Sequence, residues 1–137
     1  MITHVLDTSA ILAHYLQEPG AADVNGILSR GPGEVGLSLV TLVELRGRLT
    51  ELTADLKEVD RVFKLYSETL AARLPFTQQT MESAVELRIV VRPRLPLVDS
   101  LIAASAKEHD AILVHRDPHM AAIPVSLVKQ VVLPPKS

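Results

Sequence analysis

Four acidic side chains stand where a predicted strand ends or a predicted helix begins. They are Asp7, Glu44, Asp99 and Asp117. Asp7 and Asp117 each follow an apolar, strand-like run, whereas Glu44 and Asp99 fall in the first turn of a predicted helix. The carboxyl ends of parallel strands lie along one edge of a sheet, and ligands of α/β proteins bind there. We therefore expect all four carboxylates to face the same edge.

Carboxylates gathered at one edge imply a bound cation. Like charges within a few ångström of one another destabilise the fold unless a cation neutralises them. Oxygen ligands select hard ions such as Mg²⁺ or Mn²⁺, and the chain has no cysteine to offer a thiolate instead. Because such ions bind phosphate oxygens and activate water, hydrolysis of a phosphodiester is the expected chemistry.

The first two acids also have structural explanations. A residue before the first helix must cap it, and Ser9 is the best placed, which leaves Asp7 free for another role. Thr41-x-x-Glu44 has the spacing of a capping box, and Glu44 is spaced for an ion pair with Arg48. Taken alone, Glu44 is therefore better explained by structure than by function.

The other two acids differ in the strength of their structural explanations. Asp99 lies above Ile102 on the inward face of its predicted helix, while Ser100 is predicted on the polar side. A favourable interaction with the helix dipole does not require an inward position, so Asp99 is interpreted as functional. Asp117-Pro118 is a common N-cap pair, and Asp117 gains a functional interpretation only from its place beside the other acids.

Strand-like and helix-like stretches alternate along the chain and predict the elements that position these acids. Predicted strands are His4–Leu6, Val35–Leu39, a short stretch before Pro75, Ala111–Val114 and Val125–Leu133. Predicted helices begin at Ala10, Ala21, Thr41, Thr77 and Leu97, and the one at Thr77 is expected to turn Met81, Ala84, Val85 and Leu87 inward. An apolar stripe from Leu42 to Leu70 is expected to form two helices with a break in Thr50–Asp55. This alternation predicts an α/β/α sandwich with a mainly parallel central sheet flanked by helices, in one domain of residues 1–137.

Composition limits the function classes. The 137 residues are 47% hydrophobic, which supplies ample core, and no run approaches the ~20 apolar residues of a membrane span. The sequence thus predicts a cytoplasmic protein without membrane contact. A formal net charge of −2 gives no overall attraction to nucleic acid, so any surface that binds phosphate must be local.

Four segments resemble PIN-domain ribonucleases, most closely the VapC-type toxins of bacterial and archaeal toxin–antitoxin pairs. The segments are Val5–Ala10, Val40–Gly47, Leu95–Ala106 and Ala111–Asp117, in the family's order. The resemblance implies the PIN-like α/β/α sandwich. It also implies an Mg²⁺- or Mn²⁺-dependent endoribonuclease that hydrolyses RNA phosphodiester bonds with a metal-activated water, leaving 5′-phosphate and 3′-hydroxyl ends.

The same resemblance implies roles for residues and partners. Asp7, Glu44, Asp99 and Asp117 would be the catalytic and metal-ligating acids, with Asp7 and Asp99 as principal ligands and Ser9 hydrogen-bonded among them. A cognate antitoxin would inhibit the toxin, and the toxin would form a homodimer.

Residues near these segments offer contacts to RNA. The candidates are Arg46, Arg94, Arg116 and His115. His115 stands where the family often has a hydroxyl residue, and His119-Met120 stands where an Asp-Phe-like pair is common, which leaves the number of metals open at one or two. With no Trp, two Tyr and two Phe, recognition through backbone and RNA shape is favoured over base stacking.

Two other functions remain as alternatives. In the first, the chain is a non-catalytic interaction protein whose 42–70 stripe binds a partner helix, while the acids only cap helices. Exposed apolar residues from Leu49 to Tyr66 would in either case offer a groove for a partner such as an antitoxin. In the second, Asp7 is a covalent nucleophile, although the sequence lacks a convincing phosphate-binding loop for that chemistry. The interaction-protein hypothesis, unlike the nuclease hypothesis, predicts that a metal neither stabilises the fold nor is needed for activity.

Overall fold

The computed structural model describes residues 1–136, which form five strands and seven helices. In chain order they are β1 (His4–Leu6), α1 (Thr8–Tyr15), α2 (Ala21–Leu28), β2 (Val35–Ser38), α3 (Leu39–Leu52), α4 (Leu56–Lys64), β3 (Ala72–Leu74), α5 (Gln78–Val90), α6 (Leu97–Glu108), β4 (Ile112–His115), α7 (Pro118–Ala121) and β5 (Gln130–Val132). A π-helical turn, Leu65–Leu70, continues α4. None of the helices within residues 1–136 has the length and apolar character needed to cross a membrane.

The strands form one parallel sheet in the order β3-β2-β1-β4-β5. The chain leaves the central strand β1 toward β2 and later returns to its other side as β4. Strand order therefore reverses at β1, and the carboxyl ends of β1 and β4 border the crevice where open α/β sheets bind ligands. The predicted parallel sheet and its flanking helices are confirmed.

Two apolar clusters cover the two faces of the sheet. Leu6 of β1 packs into one cluster with residues of α1 to α4, and Val5 packs into the other with residues of α5, α6 and α7. Neighbouring residues of a strand point to opposite faces, so one short strand contributes to both layers. This burial on two sides explains why β1 and β4 are apolar throughout their central positions.

The 42–70 stripe forms the predicted pair of helices, and the break after Leu52 falls inside the predicted interval. Most of its apolar side chains are buried in the protein's own core: Leu49, Val59, Val62 and Tyr66 are at most 2% exposed. The predicted groove from Leu49 to Tyr66 is therefore mostly core, and Leu52 and Leu56, which are 43 and 67% exposed, are the large apolar side chains of this interval that a partner could reach.

Two helix starts differ from the predictions. The first helix begins at Thr8, and Asp7 rather than Ser9 is its N-cap. The third helix begins at Leu39 with Ser38 as its N-cap, so Thr41 lies inside the helix, and the Thr41-x-x-Glu44 capping box does not form. In both cases a polar residue at the end of a strand takes the cap, because the strand passes into the helix without a loop.

Three further predictions are wrong: two concern which helix residues are buried, and one concerns the length of the last strand. In α5, Ala84 and Leu87 are buried as predicted, but Met81 and Val85 are exposed. Ser100 of α6 is fully buried, because its hydroxyl donates to the carbonyl oxygen of Leu97 at 2.6 Å and needs no water. The final strand is much shorter than the predicted Val125–Leu133, since the segment before it forms turns.

Candidate active site

The four acids singled out from the sequence line one cleft of about 540 Å³ at the carboxyl edge of the sheet. The cleft is lined by Asp7, Thr8, Ser9, Leu12, Leu16, Glu18, Glu44, Arg48, Asp99, Arg116, Asp117, Pro118, His119 and Lys136. Most of these residues come from α1, α3, α6 and α7 and from the segments next to them, and Lys136 comes from the tail after β5. The parallel sheet brings the amino ends of these helices to the same edge, so residues far apart in sequence meet there.

Asp7 is 5% exposed and lies at the floor of the cleft. Its Oδ2 accepts hydrogen bonds from the Ser9 hydroxyl at 2.6 Å and from the Ser9 backbone N–H at 3.3 Å. The Ser9 oxygen in turn accepts the backbone N–H of Arg116 at 3.1 Å, which connects β1 with the end of β4. Among the described residues, no side chain donates a hydrogen bond to Asp7 Oδ1.

Glu44 reaches the cleft from the second turn of α3, where Thr8 fixes its orientation. The Thr8 hydroxyl donates to Glu44 Oε1 at 2.8 Å, and Thr8 itself is buried. The predicted ion pair between Glu44 and Arg48 does not form, because Arg48 pairs with Glu51 one turn further along α3. The carboxylate of Glu44 is therefore held by a neutral donor.

Asp99, Asp117 and His119 form a compact group on one side of the cleft. Asp117 caps the short helix α7 by accepting the His119 backbone N–H at 2.8 Å. The Nδ1 atom of His119 lies 3.2 Å from Asp117 Oδ1 and 3.9 Å from Asp99 Oδ2. One ligand atom from each of the three residues lies within 4.8 Å of the other two, a spacing that suits a shared metal ion.

Burial and mutual repulsion raise the pKa values of three of these carboxyls. Burial raises the pKa of Asp99 to about 7, with further contributions from the charges of Asp117, Asp7 and Glu44. Burial also raises the pKa values of Asp7 and Glu44, although hydrogen bonds from Ser9 and Thr8 oppose the change. The apo site thus disfavours its own ionised form, as expected of a site shaped for a cation.

The charges of the cleft suit one divalent cation. Its five carboxylates belong to Asp7, Glu18, Glu44, Asp99 and Asp117, and its positively charged side chains are Arg48, Arg116 and Lys136. The ionised lining therefore has an excess of two negative charges. The carboxylate oxygens among these donors fit a hard divalent ion such as Mg²⁺ or Mn²⁺.

Glu18 stands apart from the other acids because two cations already neutralise it. Its carboxylate pairs with the Arg116 guanidinium, and Lys136 Nζ lies 3.4 Å from its second oxygen. The hydrogen bond from Arg116 is the main cause that lowers the pKa of Glu18. Arg116 Nη1 is buried without a hydrogen-bond partner among the described residues.

The three arginines predicted to contact RNA lie in different surroundings. Arg116 lines the cleft, whereas Arg94 is exposed in the loop before α6 and is not part of the cleft wall. Arg46 is turned away, since it pairs with Asp60 at 2.7 Å and its guanidinium lies over the Phe63 ring. A direct contact between Arg46 and RNA in the cleft is therefore not supported.

His115 is fully buried, so its predicted contact with RNA is wrong. Its Nδ1 accepts the backbone N–H of Asp117 at 3.0 Å, and its Nε2 lies 2.9 Å from Gln130 Oε1. An Nδ1 that accepts leaves the proton on Nε2, which donates to Gln130. His115 thus joins β4 to β5 and positions the backbone of Asp117.

The sequence patterns did not predict that Thr8, Glu18 and Lys136 line the cleft, or that His119 lies beside Asp99 and Asp117. The position of Thr8 directly after Asp7 was a usable signal, because a helix start beside a site directs its first side chains toward that site. Glu18 and Lys136 are 118 positions apart in sequence. No local pattern could have connected them.

A family model for the PIN domain matches residues 4–125. Among solved structures, a chain of the VapBC2 complex from Rickettsia felis bound to a DNA fragment from its promoter is similar at a TM-score of 0.77 and 15% identity, covering 97% of this chain and 100% of that one. A chain of VapBC-5 from Mycobacterium tuberculosis is similar at a TM-score of 0.70 and 25% identity, covering 96% and 99%.

A third similar structure is VapC20 of Mycobacterium tuberculosis, described as a toxin that cleaves the sarcin-ricin loop. It has a TM-score of 0.67 and 16% identity, and the match covers 88% of this chain and 94% of that one. No curated protein matches the chain by sequence. The structures that are less than 25% identical to this chain show that it shares their fold. Its membership of the family is shown by the match of its sequence to the PIN domain model.

Proposed function

Because the chain belongs to the PIN domain family, we propose that it is a divalent-metal-dependent endoribonuclease and the toxin of a toxin–antitoxin pair. The observation that carries the proposal is the gathering of Asp7, Glu44, Asp99 and Asp117 in one cleft with an excess of two negative charges. A cleft that only stabilised the fold would not need to bring four acids together. The similarity to VapBC-5 and to VapC20 supports the toxin role.

Each acid has a distinct part in holding the ion. Asp7 and Asp99 would be the principal ligands, and Glu44 and Asp117 would complete the coordination directly or through water. A bound Mg²⁺ or Mn²⁺ would supply activation of water and stabilisation of charge on the phosphate oxygens.

The remaining side chains position the acids and the substrate. Ser9 holds Asp7, and Thr8 holds Glu44, through the hydrogen bonds described above. Arg116, which lines the cleft, and Arg94, which is exposed in the loop before α6, are the contacts proposed for the RNA backbone. Because neither contact reads a base edge, recognition would depend mainly on the shape and backbone of the RNA.

The proposed partners follow from the same function. We propose RNA as substrate, a cognate antitoxin as inhibitor, a cytoplasmic location where both occur, and one PIN-like domain over residues 1–137. The antitoxin is supported by the VapBC complexes among the similar structures.

We also propose a homodimer, supported by an exposed apolar row on α5. In this row Met81, Val85 and Ile89 recur four residues apart, with exposures of 41, 49 and 64%.

The proposed activity is tested by incubating the purified chain with structured and unstructured RNA in Mg²⁺, in Mn²⁺ and in chelator. Asp7→Asn and Asp99→Asn remove one charge each while keeping the shape of the side chain. We expect cleavage by the wild type only with metal, and a loss of at least about 100-fold in either variant, since each removes a principal ligand. Asp23→Asn is the control, because Asp23 is exposed on α2 away from the cleft.

Circular dichroism must first show that each variant is folded. Metal-independent cleavage, or full activity in both Asp7→Asn and Asp99→Asn, would contradict the proposed chemistry. If no RNA in the pool is cut, calorimetry with Mn²⁺ and Mg²⁺ tests the metal site directly, and an absence of binding would contradict the nuclease function.

A further inference from the structure

We propose that the imidazole of His119 is a direct ligand of the divalent metal and gives the site a preference for Mn²⁺ over Mg²⁺. The inference rests on the metal-dependent function proposed above and concerns this chain's own donor set. The sequence pattern selected acids alone, whereas the fold adds a nitrogen donor to them.

The Nδ1 atom of His119 lies close enough to the Asp99 and Asp117 carboxylates to bind the same ion as they do. Its Nδ1 lies 3.2 Å from Asp117 Oδ1 and 3.9 Å from Asp99 Oδ2. Atoms bound to one ion at about 2.1 Å are separated by roughly 3 to 4 Å in tetrahedral or octahedral arrangements. All three donor atoms fall within 4.8 Å of one another, so a small movement of one side chain suffices for a common ion.

The local backbone holds the ring in this place. Asp117 caps α7 and accepts the backbone N–H of His119, which fixes the start of the side chain relative to that carboxylate. The side chain of His119 is 61% exposed, so packing against the core does not account for its orientation. The two carboxylates are the groups that its Nδ1 faces.

A protonated His119 that forms only an ion pair is the competing explanation. An imidazolium would add one positive charge to a cleft lining with an excess of two negative charges. Asp7, which is 5% exposed and lines the cleft, would still have one carboxylate oxygen without a side-chain donor. A divalent ion with a neutral imidazole satisfies both the charge and the donor atoms.

The nitrogen donor determines which ion is favoured. Mg²⁺ demands a nearly ideal octahedron and retains its waters, whereas Mn²⁺ belongs to the first-row transition ions, which bind mixed nitrogen and oxygen sites. Replacing one oxygen ligand by His119 therefore favours Mn²⁺.

Pulsed electron paramagnetic resonance of the Mn²⁺-loaded full chain tests this ligand without any substrate. A nitrogen bound to Mn²⁺ gives a hyperfine coupling that oxygen ligands do not give. The variants are His119→Ala and His119→Asp, and the control is His109→Gln, because His109 caps the opposite end of α6 from Asp99. Calorimetry on the same samples gives the Kd values for Mn²⁺ and Mg²⁺.

We expect nitrogen coupling in the wild type and in His109→Gln, and none in either His119 variant. His119→Ala should weaken Mn²⁺ binding at least about tenfold, since loss even of an indirect partner of a metal costs about 10–100-fold. His119→Asp should shift the ratio of the two Kd values toward Mg²⁺ by about tenfold, because it restores an oxygen donor.

Two outcomes would overturn the proposal in different ways. Mn²⁺ binding without nitrogen coupling in the wild type, or coupling that persists in His119→Ala, would exclude His119 as a ligand and leave the metal-dependent function intact. An absence of binding of either ion would remove both this inference and the proposed nuclease.

Discussion

At the scale of single residues, Asp7 and Thr8 show how one helix start serves two purposes. Asp7 caps α1 and offers a carboxylate to the cleft, and the next residue, Thr8, donates its hydroxyl to Glu44. The helix start thus fixes two of the four acids. A buried hydroxyl without this acceptor would be destabilising, so the bond contributes to the fold and to the site.

Thr8→Val tests this positioning role, because valine has nearly the same shape and no hydroxyl. Hydrogen bonds to charged groups contribute about 1.5–3 kcal/mol, so we expect RNA cleavage to fall roughly 10- to 100-fold with little change in global structure. Thr8→Ser keeps the donor and should retain most of the activity. Cleavage rates and Mn²⁺ affinity measure the effect, and equal loss in both variants would point to packing instead of the hydrogen bond.

The raised pKa of Asp99 predicts how the stability of the metal-free protein depends on pH. Its pKa is about 7 in the folded chain against an ordinary value of 3.8, so the folded state binds this proton more tightly than the unfolded state. The resulting stabilisation is complete below the ordinary carboxyl pKa and is lost as the pH rises through about 7. Partial exposure to solvent reduces it to on the order of 1–2 kcal/mol.

Urea unfolding in chelator at pH 5 and pH 8 measures this loss. Asp99→Asn has no proton to release, so its free energy of unfolding should fall less between the two pH values than that of the wild type. At pH 8 the variant should be the more stable protein. Parallel pH profiles for wild type and Asp99→Asn would show that the pKa of Asp99 is not raised.

At the scale of elements, the strands β1 and β2 lead into helices without a loop. Ser38 is the last residue of β2 and the N-cap of α3, as Asp7 is the cap between β1 and α1. Without a loop to absorb small errors, the position of each strand sets the position of the side chains in the following helix. The register of the sheet is therefore part of the geometry of the cleft.

The register of β2 depends on Gly36, because the Leu74 side chain of the paired strand β3 packs closely against its backbone. A Cβ at this position would lie 2.7 Å from Leu74 Cδ1 of the paired strand β3. Overpacking of this kind costs about 1–3 kcal/mol, so Gly36→Ala should lower the free energy of unfolding by that amount. Gly47→Ala is the control, because the space around Gly47 is open and alanine favours its helix by about 0.5–1 kcal/mol. Urea denaturation of both variants gives the comparison, and equal stability would show that Leu74 moves aside freely.

At the scale of the whole molecule, the cleft and the apolar face of α5 lie on different parts of the surface. Met81, Val85 and Ile89 are exposed on α5, and none of them lines the cleft. Contacts between copies of the chain through this face would therefore leave the acids open to RNA.

Ile89→Glu tests the proposed homodimer at its most exposed apolar position. A charge placed in an apolar interface resists burial, so sedimentation should show the variant as a monomer at concentrations where the wild type is dimeric. The fold should be retained, because Ile89 is 64% exposed in the single chain. A monomeric wild type, or a variant that remains dimeric, would remove α5 as the interface.

The sequence by itself determined the parallel α/β architecture and the four acids at its carboxyl edge. Short apolar runs that end at an acid define both a buried strand and the place where its helix begins, and these are local properties. The single-domain organisation, the metal ligands and the RNA contacts stay predictions, which the experiments above address.

Only the tertiary structure decided which side chains meet in the cleft. Thr8 and Glu44 are 36 positions apart, and Arg116 reaches Ser9 across 107 positions, so neither contact has a local pattern. The burial of His115 and the exposure of His119 depend on how β4 packs against β5 and α7 against α6, although the two residues are the same type and four positions apart. Periodicity assigns residues to elements, but contacts between elements arise from packing, and packing placed an imidazole among the acids of the cleft.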